Sequence, residues 1–179
     1  MPAIDFNQDF FSLFQLSESY DIDSKQLQCR YRELLREVHP DRFAASSDGE
    51  RRLAVQFSTR INEAYETLKS PVSRAHYLLS LQNIDIDPQQ TIGNDPAFLM
   101  HQMSLREQLM DLRGKDNPEQ ALDQLTSELE KLIEHQCDAF KNSFAAKDYQ
   151  QASVEVAKMQ FLYKLEAEVE RVEAEILDY

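Results

Sequence analysis

Chemistry in this chain would have to come from four histidines, two cysteines and many carboxylates, and the most informative stretch is His39-Pro40-Asp41, a short polar turn between two helical segments. A histidine near an aspartate can serve as a general base when a third group orients its ring. With a metal ion, His39 and Asp41 would instead serve a metal-dependent hydrolase. Neither use has its companions here, because no orienting third residue, nucleophile elbow or Gly-rich phosphate loop stands with the pair. His39, His76, His101 and His135 lack the spacing of metal ligands. Cys29 and Cys137 lie 108 positions apart, with neither zinc-site nor disulfide spacing, and read as small buried or half-buried thiols. No catalytic residue, metal or cofactor is assigned. The chemistry left to the tripeptide is docking. Asp41 on a loop tip can form a charge-assisted bond with a partner's Arg or Lys. Pro40 restricts the loop and lowers the cost of ordering it.

Two helical segments must hold that tip. Ser24 to Val38 places Leu27, Tyr31, Leu34, Leu35 and Val38 on one side at helical spacing. Ser24 is the expected N-cap, with Asp21 and Asp23 near the positive end of the dipole. Lys25, Arg32 and Arg36, seven and four residues apart, share another side, and Arg30 projects elsewhere. Pro40 disfavours helical geometry at His39, so the helix should stop near Val38 and leave the tripeptide in a loop. A second stripe, Leu53, Phe57, Ile61, Ala64, Tyr65 and Leu68, predicts a helix from about Asp48 to Leu68, ended by Ser70-Pro71. The two stripes pair antiparallel, under the apolar element of Phe10, Phe11, Leu13, Phe14 and Leu16.

Further on, Ser73 to Leu81 reads as a short helix, and Asn83 to Pro96, with Pro88 and Gly93, as the domain boundary. Three helices follow, at about Pro96–Arg113, Pro118–Ala145 and Asp148–Leu177, with connections short enough to make neighbours antiparallel. Their stripes, Leu122/Leu125/Leu129/Leu132/Ile133 and Val154/Phe161/Leu165/Val169/Val172/Ile176, suit a three-helix bundle. Apolar residues at intervals of three and four, only three glycines and no sustained alternation of Val, Ile and Thr predict an all-α fold. The boundaries are 1–76 for the first domain, 77–95 for a connecting helix and linker, and 96–179 for the bundle.

The net charge of −13 is unevenly spread. Residues 1–76 carry ten Lys/Arg and twelve Asp/Glu, and residues 77–179 carry nine and twenty. That balance argues against phosphate-backbone binding, which depends on neutralising cations, and points to two modules with different partners. The N-terminal stretch has Asp5 and Asp9 and no cation before Phe11, unlike a signal or transit peptide. No apolar run reaches membrane-spanning length. A bacterial cytoplasm is the simplest location.

A basic helix, His39-Pro40-Asp41, Arg42-Phe43 and then Ile61-Asn62-Glu63-Ala64-Tyr65-Glu66-Thr67-Leu68-Lys69-Ser70-Pro71 occur in that order. This combination resembles the J domain of DnaJ-class co-chaperones over roughly residues 8–75. The resemblance implies that the tip contacts the ATPase domain of a DnaK-type chaperone and speeds its ATP hydrolysis. Carried over by residue, the contacts are His39, Pro40, Asp41, Lys25, Arg32 and Arg36. A cationic helix face is also what would steer an acidic partner surface.

The helix from Pro96 has two apolar sides. Phe98, Leu105, Leu109 and Leu112 form the expected bundle stripe. Leu99, Met103 and Met110 fall on another side, flanked by Met100 and bordered by Glu107 and Asp111. A wide core can absorb both sides. An adaptable apolar patch with an acidic rim also suits a protein partner.

Ala97-Phe98-Leu99-Met100 through Leu105-Arg106-Glu107, with Arg74-Ala75-His76-Tyr77-Leu78-Leu79 and Phe161-Leu162-Tyr163-Lys164-Leu165, is similar to the HscB family, J-type co-chaperones of bacterial iron–sulfur cluster assembly. That resemblance covers essentially the full length. It implies a bundle that binds the IscU-type iron–sulfur scaffold protein and presents it to the DnaK-class chaperone HscA. Leu99, Met100 and Met103 would make the apolar contact, Glu107 and Asp111 the acidic contacts, and Phe161 would join from the last helix. Ser104 stands where the family pattern is acidic, and Asp111 is shorter than the Glu expected there. No Cys-rich N-terminal extension of the eukaryotic kind is present. The alternatives are a general J-type co-chaperone whose bundle dimerises or serves other clients, the metal-dependent hydrolase, and an acidic coiled-coil protein, which the basic hairpin fits poorly.

Overall fold

The structure is a computed structural model that describes residues 8–43, 47–86 and 95–177, without the side chains of Pro40, Asp41, Arg113, Ile176 and Leu177. The expectations placed on Asp5, Pro88, Gly93, the Pro40 and Asp41 side chains and Ile176 lie outside the described residues. Every described element is helical: α1 (Phe10–Leu13), α2 (Ser24–Glu37), α3 (Asp48–Lys69), α4 (Pro71–Leu81), α5 (Pro96–Asp111), α6 (Pro118–Ala145) and α7 (Tyr149–Leu177), with 3₁₀ turns at Pro40–Phe43 and Leu112–Gly114. No described helix is long and apolar enough to cross a membrane. The chain divides into two compact units, Met1–Leu78 and Leu79–Tyr179.

In the first unit, Phe11, Phe14, Leu27, Ile61, Leu68 and Leu78 are almost wholly buried, so the stripes of α2 and α3 meet beneath α1. That burial supplies most of the drive for helices this short. α1 is only four residues long and relies on its ends. Asp9 caps it by accepting from the Ser12 backbone N–H at 2.9 Å. Burial pushes the Asp9 carboxyl up, but the Ser12 hydrogen bonds outweigh it and hold it below the usual carboxylate value. Phe10 stacks on Tyr77 with centroids 4.4 Å apart, and its N–H donates to the Tyr77 hydroxyl at 2.9 Å.

Several expectations are corrected. Asp23, not Ser24, caps α2, because its carboxylate accepts from the Lys25 and Gln26 N–H groups at 2.8 and 3.1 Å. Leu53 is 39% exposed, since neighbouring Ala54 takes the buried place at the centre of the stripe. Cys29 is exposed rather than buried or half-buried, whereas Cys137 is half-buried as expected. It is Pro71 that starts α4, as fits a residue with fixed φ and no N–H to leave unpaired. α3 begins in a capping box between Ser47 and Glu50.

In the second unit, α6 and α7 reverse direction at Lys147, which takes φ 60° and donates its N–H to Phe144 O at 3.0 Å. The bundle core joins Leu105 and Leu112 to Leu122, Leu125, Leu129, Ile133, Leu162, Leu165 and Val169. On α7, Val156, Met159 and Leu162 are buried, while Val154 is only half-buried. Glu155 is buried too, and it accepts hydrogen bonds from the amides of Gln136 and Gln151.

Candidate functional site

Two surfaces, one in each unit, carry the residues singled out from the sequence. The first is the end of the α2–α3 hairpin. α2 ends because Pro40 prevents His39 from continuing it, and Val38 closes the last turn by donating to Leu34 O at 3.2 Å. His39 is exposed immediately after it. Pro40 and Asp41 lie in the short connection between the two helices. They begin a 3₁₀ turn, Pro40–Phe43, in which the Arg42 N–H donates to His39 O at 3.0 Å. A trans-Pro φ near −65° suits such a turn, which is why the tip is tighter than a sequence breaker suggests. Arg42 Nη1 also donates to Arg36 O at 3.4 Å, tying the turn to the helix before it.

Lys25, Arg32 and Arg36 are all exposed on α2. Arg30 is partly buried and pairs with Glu33 at 2.6 Å. Behind the basic face, Tyr31 stacks on Tyr65 and its hydroxyl donates to Asn62 Oδ1 at 3.0 Å. Tyr65 and Asn62, in the C-terminal half of α3, therefore help hold α2 in place. Among the described residues, no group of three or more His, Cys, Asp or Glu is arranged to hold a metal ion.

The second surface is the outer side of α5. Asp95 caps this helix by accepting from the Phe98 N–H at 3.0 Å, and Lys158 of α7 lies 2.9 Å from its carboxylate. The Phe98 backbone bond and then Lys158 hold the Asp95 carboxyl below its usual value. Leu105 and Leu112 face the core, each 1% exposed. On the other side Leu99 is 37% exposed, Met100 71%, Met103 63% and Met110 79%. These four, with Leu53 and Val55, are the exposed large apolar side chains among the described residues. The core therefore does not absorb the second side of α5. Glu107, Asp111 and Ser104 are exposed with it.

Phe161 is half-buried on α7. It meets the edge of Phe98 at 5.9 Å between centroids, and the Arg106 guanidinium lies over its ring at 5.2 Å. Arg106 and Arg171 are functional candidates that the sequence pattern did not mark. Arg106 lies between Met103 and Met110 on the exposed line of α5, a position visible in the spacing, whereas only packing brings Arg171 near it.

Comparison with known proteins joins the two surfaces in one family. Residues 9–77 match the DnaJ domain, and residues 94–170 match the HSCB C-terminal oligomerisation domain. The chain is 42% identical over 170 residues to the co-chaperone protein HscB of Proteus mirabilis, covering 95% of this chain and 98% of that one. The solved structure of chaperone HscB from Vibrio cholerae superposes with a TM-score of 0.88 at 37% identity, covering 94% of this chain and 99% of the other. Human co-chaperone HscB gives a TM-score of 0.86 at 31% identity, with 96% and 85% covered.

Proposed function

Because the chain belongs to the HscB family of J-domain co-chaperones, we propose that it works as an adaptor in iron–sulfur cluster assembly. Its J domain stimulates the ATPase of a DnaK-class chaperone of the HscA type. Its C-terminal bundle carries the IscU-type scaffold protein to that chaperone. The chain acts as a co-chaperone and not as an enzyme, so the ATP chemistry belongs to the partner. A cytoplasmic location follows from those partners.

The observation that carries this reading is the exposed row Leu99, Met100 and Met103 with Glu107 and Asp111 beside it, on the same chain as a J domain. An apolar centre with a charged rim is the usual form of a protein contact. Flexible methionines adapt to a partner's shape. In the J domain, His39 with Pro40 and Asp41 makes the contact, and Lys25, Arg32 and Arg36 guide the approach to an acidic surface. Binding scaffold and chaperone through one chain raises the scaffold's effective concentration at the chaperone's peptide site.

The test is an ATPase assay with purified HscA-type chaperone, titrated with this chain alone and then with scaffold. Stimulation by the chain, increased further by scaffold, supports the adaptor. Stimulation that ignores scaffold would point to a general J-type co-chaperone with another client. The matched C-terminal family is described by oligomerisation, so self-association is the second use of the bundle to measure.

A further inference from the structure

The exposed row on α5 continues beyond Met103. Met110 lies seven residues further on, two helical turns along the same line. It is 79% exposed, more than Leu99, Met100 or Met103. At that end of α5, the helix α7 runs alongside. Arg106, Leu109 and Met110 from α5 and Glu168, Arg171 and Val172 from α7 line one groove of about 510 Å³. Leu109 and Val172 also pack against the bundle core, so the groove has an apolar floor held by the fold. Arg106 is braced by its contact over the Phe161 ring.

The charge of this groove is opposite to that of its surroundings. Residues 77–179 hold nine Lys/Arg against twenty Asp/Glu, yet two of those cations line this groove against one carboxylate, Glu168. Level with it on α5, Glu107 and Asp111 border the opposite flank of the apolar row. One flank of the row thus favours cations, and the other, at the groove, favours an anion beside an apolar group.

We propose that this groove is a second anchor point for the scaffold protein, one that takes an apolar side chain neighbouring a carboxylate. Met110 and Val172 pack on the apolar group. Arg106 and Arg171 pair with the carboxylate. The inference rests on the reading that the α5 surface binds the scaffold. Continuity supports that occupant, because Leu99 to Met110 spans about 16 Å at 1.5 Å per residue, well within one ordinary interface. A partner seated on Leu99 and Met103 reaches the groove along the same helix. Contacts of opposite sign on the two flanks also set its direction, since a partner turned end for end would swap them and meet like charges.

The test is calorimetric titration of purified IscU-type scaffold into the full chain, in four forms: unaltered, L99A/M103A, M110A and R171E. All four changes lie at exposed or near-exposed positions, and helical circular dichroism checks that each form is folded. M110A is expected to weaken binding by about tenfold, the size of one ordinary anchor. R171E is expected to weaken it several-fold, more at low salt than at high salt. Loss in L99A/M103A with unchanged affinity in both M110A and R171E overturns the groove and leaves the scaffold-binding surface standing. Unchanged affinity in L99A/M103A, or no binding by the unaltered chain, overturns both. Sedimentation of the same four forms checks the remaining occupant. A dimer that M110A or R171E disrupts, with scaffold affinity intact, assigns the groove to a second copy and overturns the proposal.

Discussion

Tyr31 and Tyr65 stack with their ring centroids 3.9 Å apart and their planes 17° from parallel. One ring belongs to the helix that carries the basic face, and the other to the helix that returns from the tip. Lys69 lies over Tyr65 at 5.7 Å, extending the same contact. The pair sits behind Arg32 and Arg36, so it affects how firmly those charges are held.

Tyr31→Ala should therefore destabilise the J domain by about 2 kcal/mol, combining lost ring area with the lost stack. Tyr31→Phe keeps the ring and gives up only the bond to Asn62, an exposed interaction worth about 0.5 kcal/mol. Hydrogen exchange across α2 and α3 in the full chain measures both. Equal effects of the two substitutions would contradict the stacking account.

His39→Gln should abolish stimulation of the HscA-type ATPase while scaffold affinity stays unchanged. His39 is exposed after the end of α2 and lies outside the buried core, so the change should leave the fold intact. ATPase rate and scaffold calorimetry, run on one preparation, give the two readouts. Full stimulation by the variant would remove the tip from the mechanism.

Reversing Arg32 and Arg36 to Glu should slow association with the chaperone rather than speed dissociation. Steering by exposed charge acts mainly on the on-rate and is screened by salt. The difference from the unaltered chain should shrink between low salt and about 0.5 M, where the screening length falls below that at 0.1 M, ~10 Å. A salt-independent loss would point to direct packing instead.

Leu99→Ala with Met103→Ala should weaken scaffold binding by about 1–3 kcal/mol while leaving ATPase stimulation by the chain alone unchanged. Both side chains project away from the bundle core, so thermal unfolding should barely move. A folded double variant with normal scaffold affinity would place the contact elsewhere.

Glu166→Gln should stabilise the bundle near neutral pH. Burial first, and then the like charges of Glu170 and Glu130, raise the Glu166 carboxyl above its usual value. A carboxyl raised in the folded state favours folding when protonated, and that advantage is lost as pH rises through its folded value. The amide removes the cost of charging it. The gain from the substitution should therefore be present at pH 7 and fade as pH falls below the ordinary glutamate range. Urea unfolding at the two pH values tests this, and a gain that persists in acid would contradict it.

The helices and their order were legible because each depends on local information. Intervals of three and four placed Leu27, Leu34, Ile61 and Leu68 on buried faces, and Pro118 marked a helix start that backbone geometry favours. The apolar second side of α5 was also legible, as a spacing of Leu99, Met103 and Met110. Its exposure was not, since a wider core from α6 and α7 could have covered it. Local rules misjudged Leu53, Cys29 and Val154 for the same reason: burial depends on what another segment brings to that place. Asp23 outcompeted Ser24 as cap because its carboxylate reaches two backbone N–H groups. The groove beside Met110 joins residues 65 positions apart, Arg106 and Arg171. Spacing along a single helix determines which side chains share a face. Only packing between helices decides which of those faces meet water, and which distant charges meet each other.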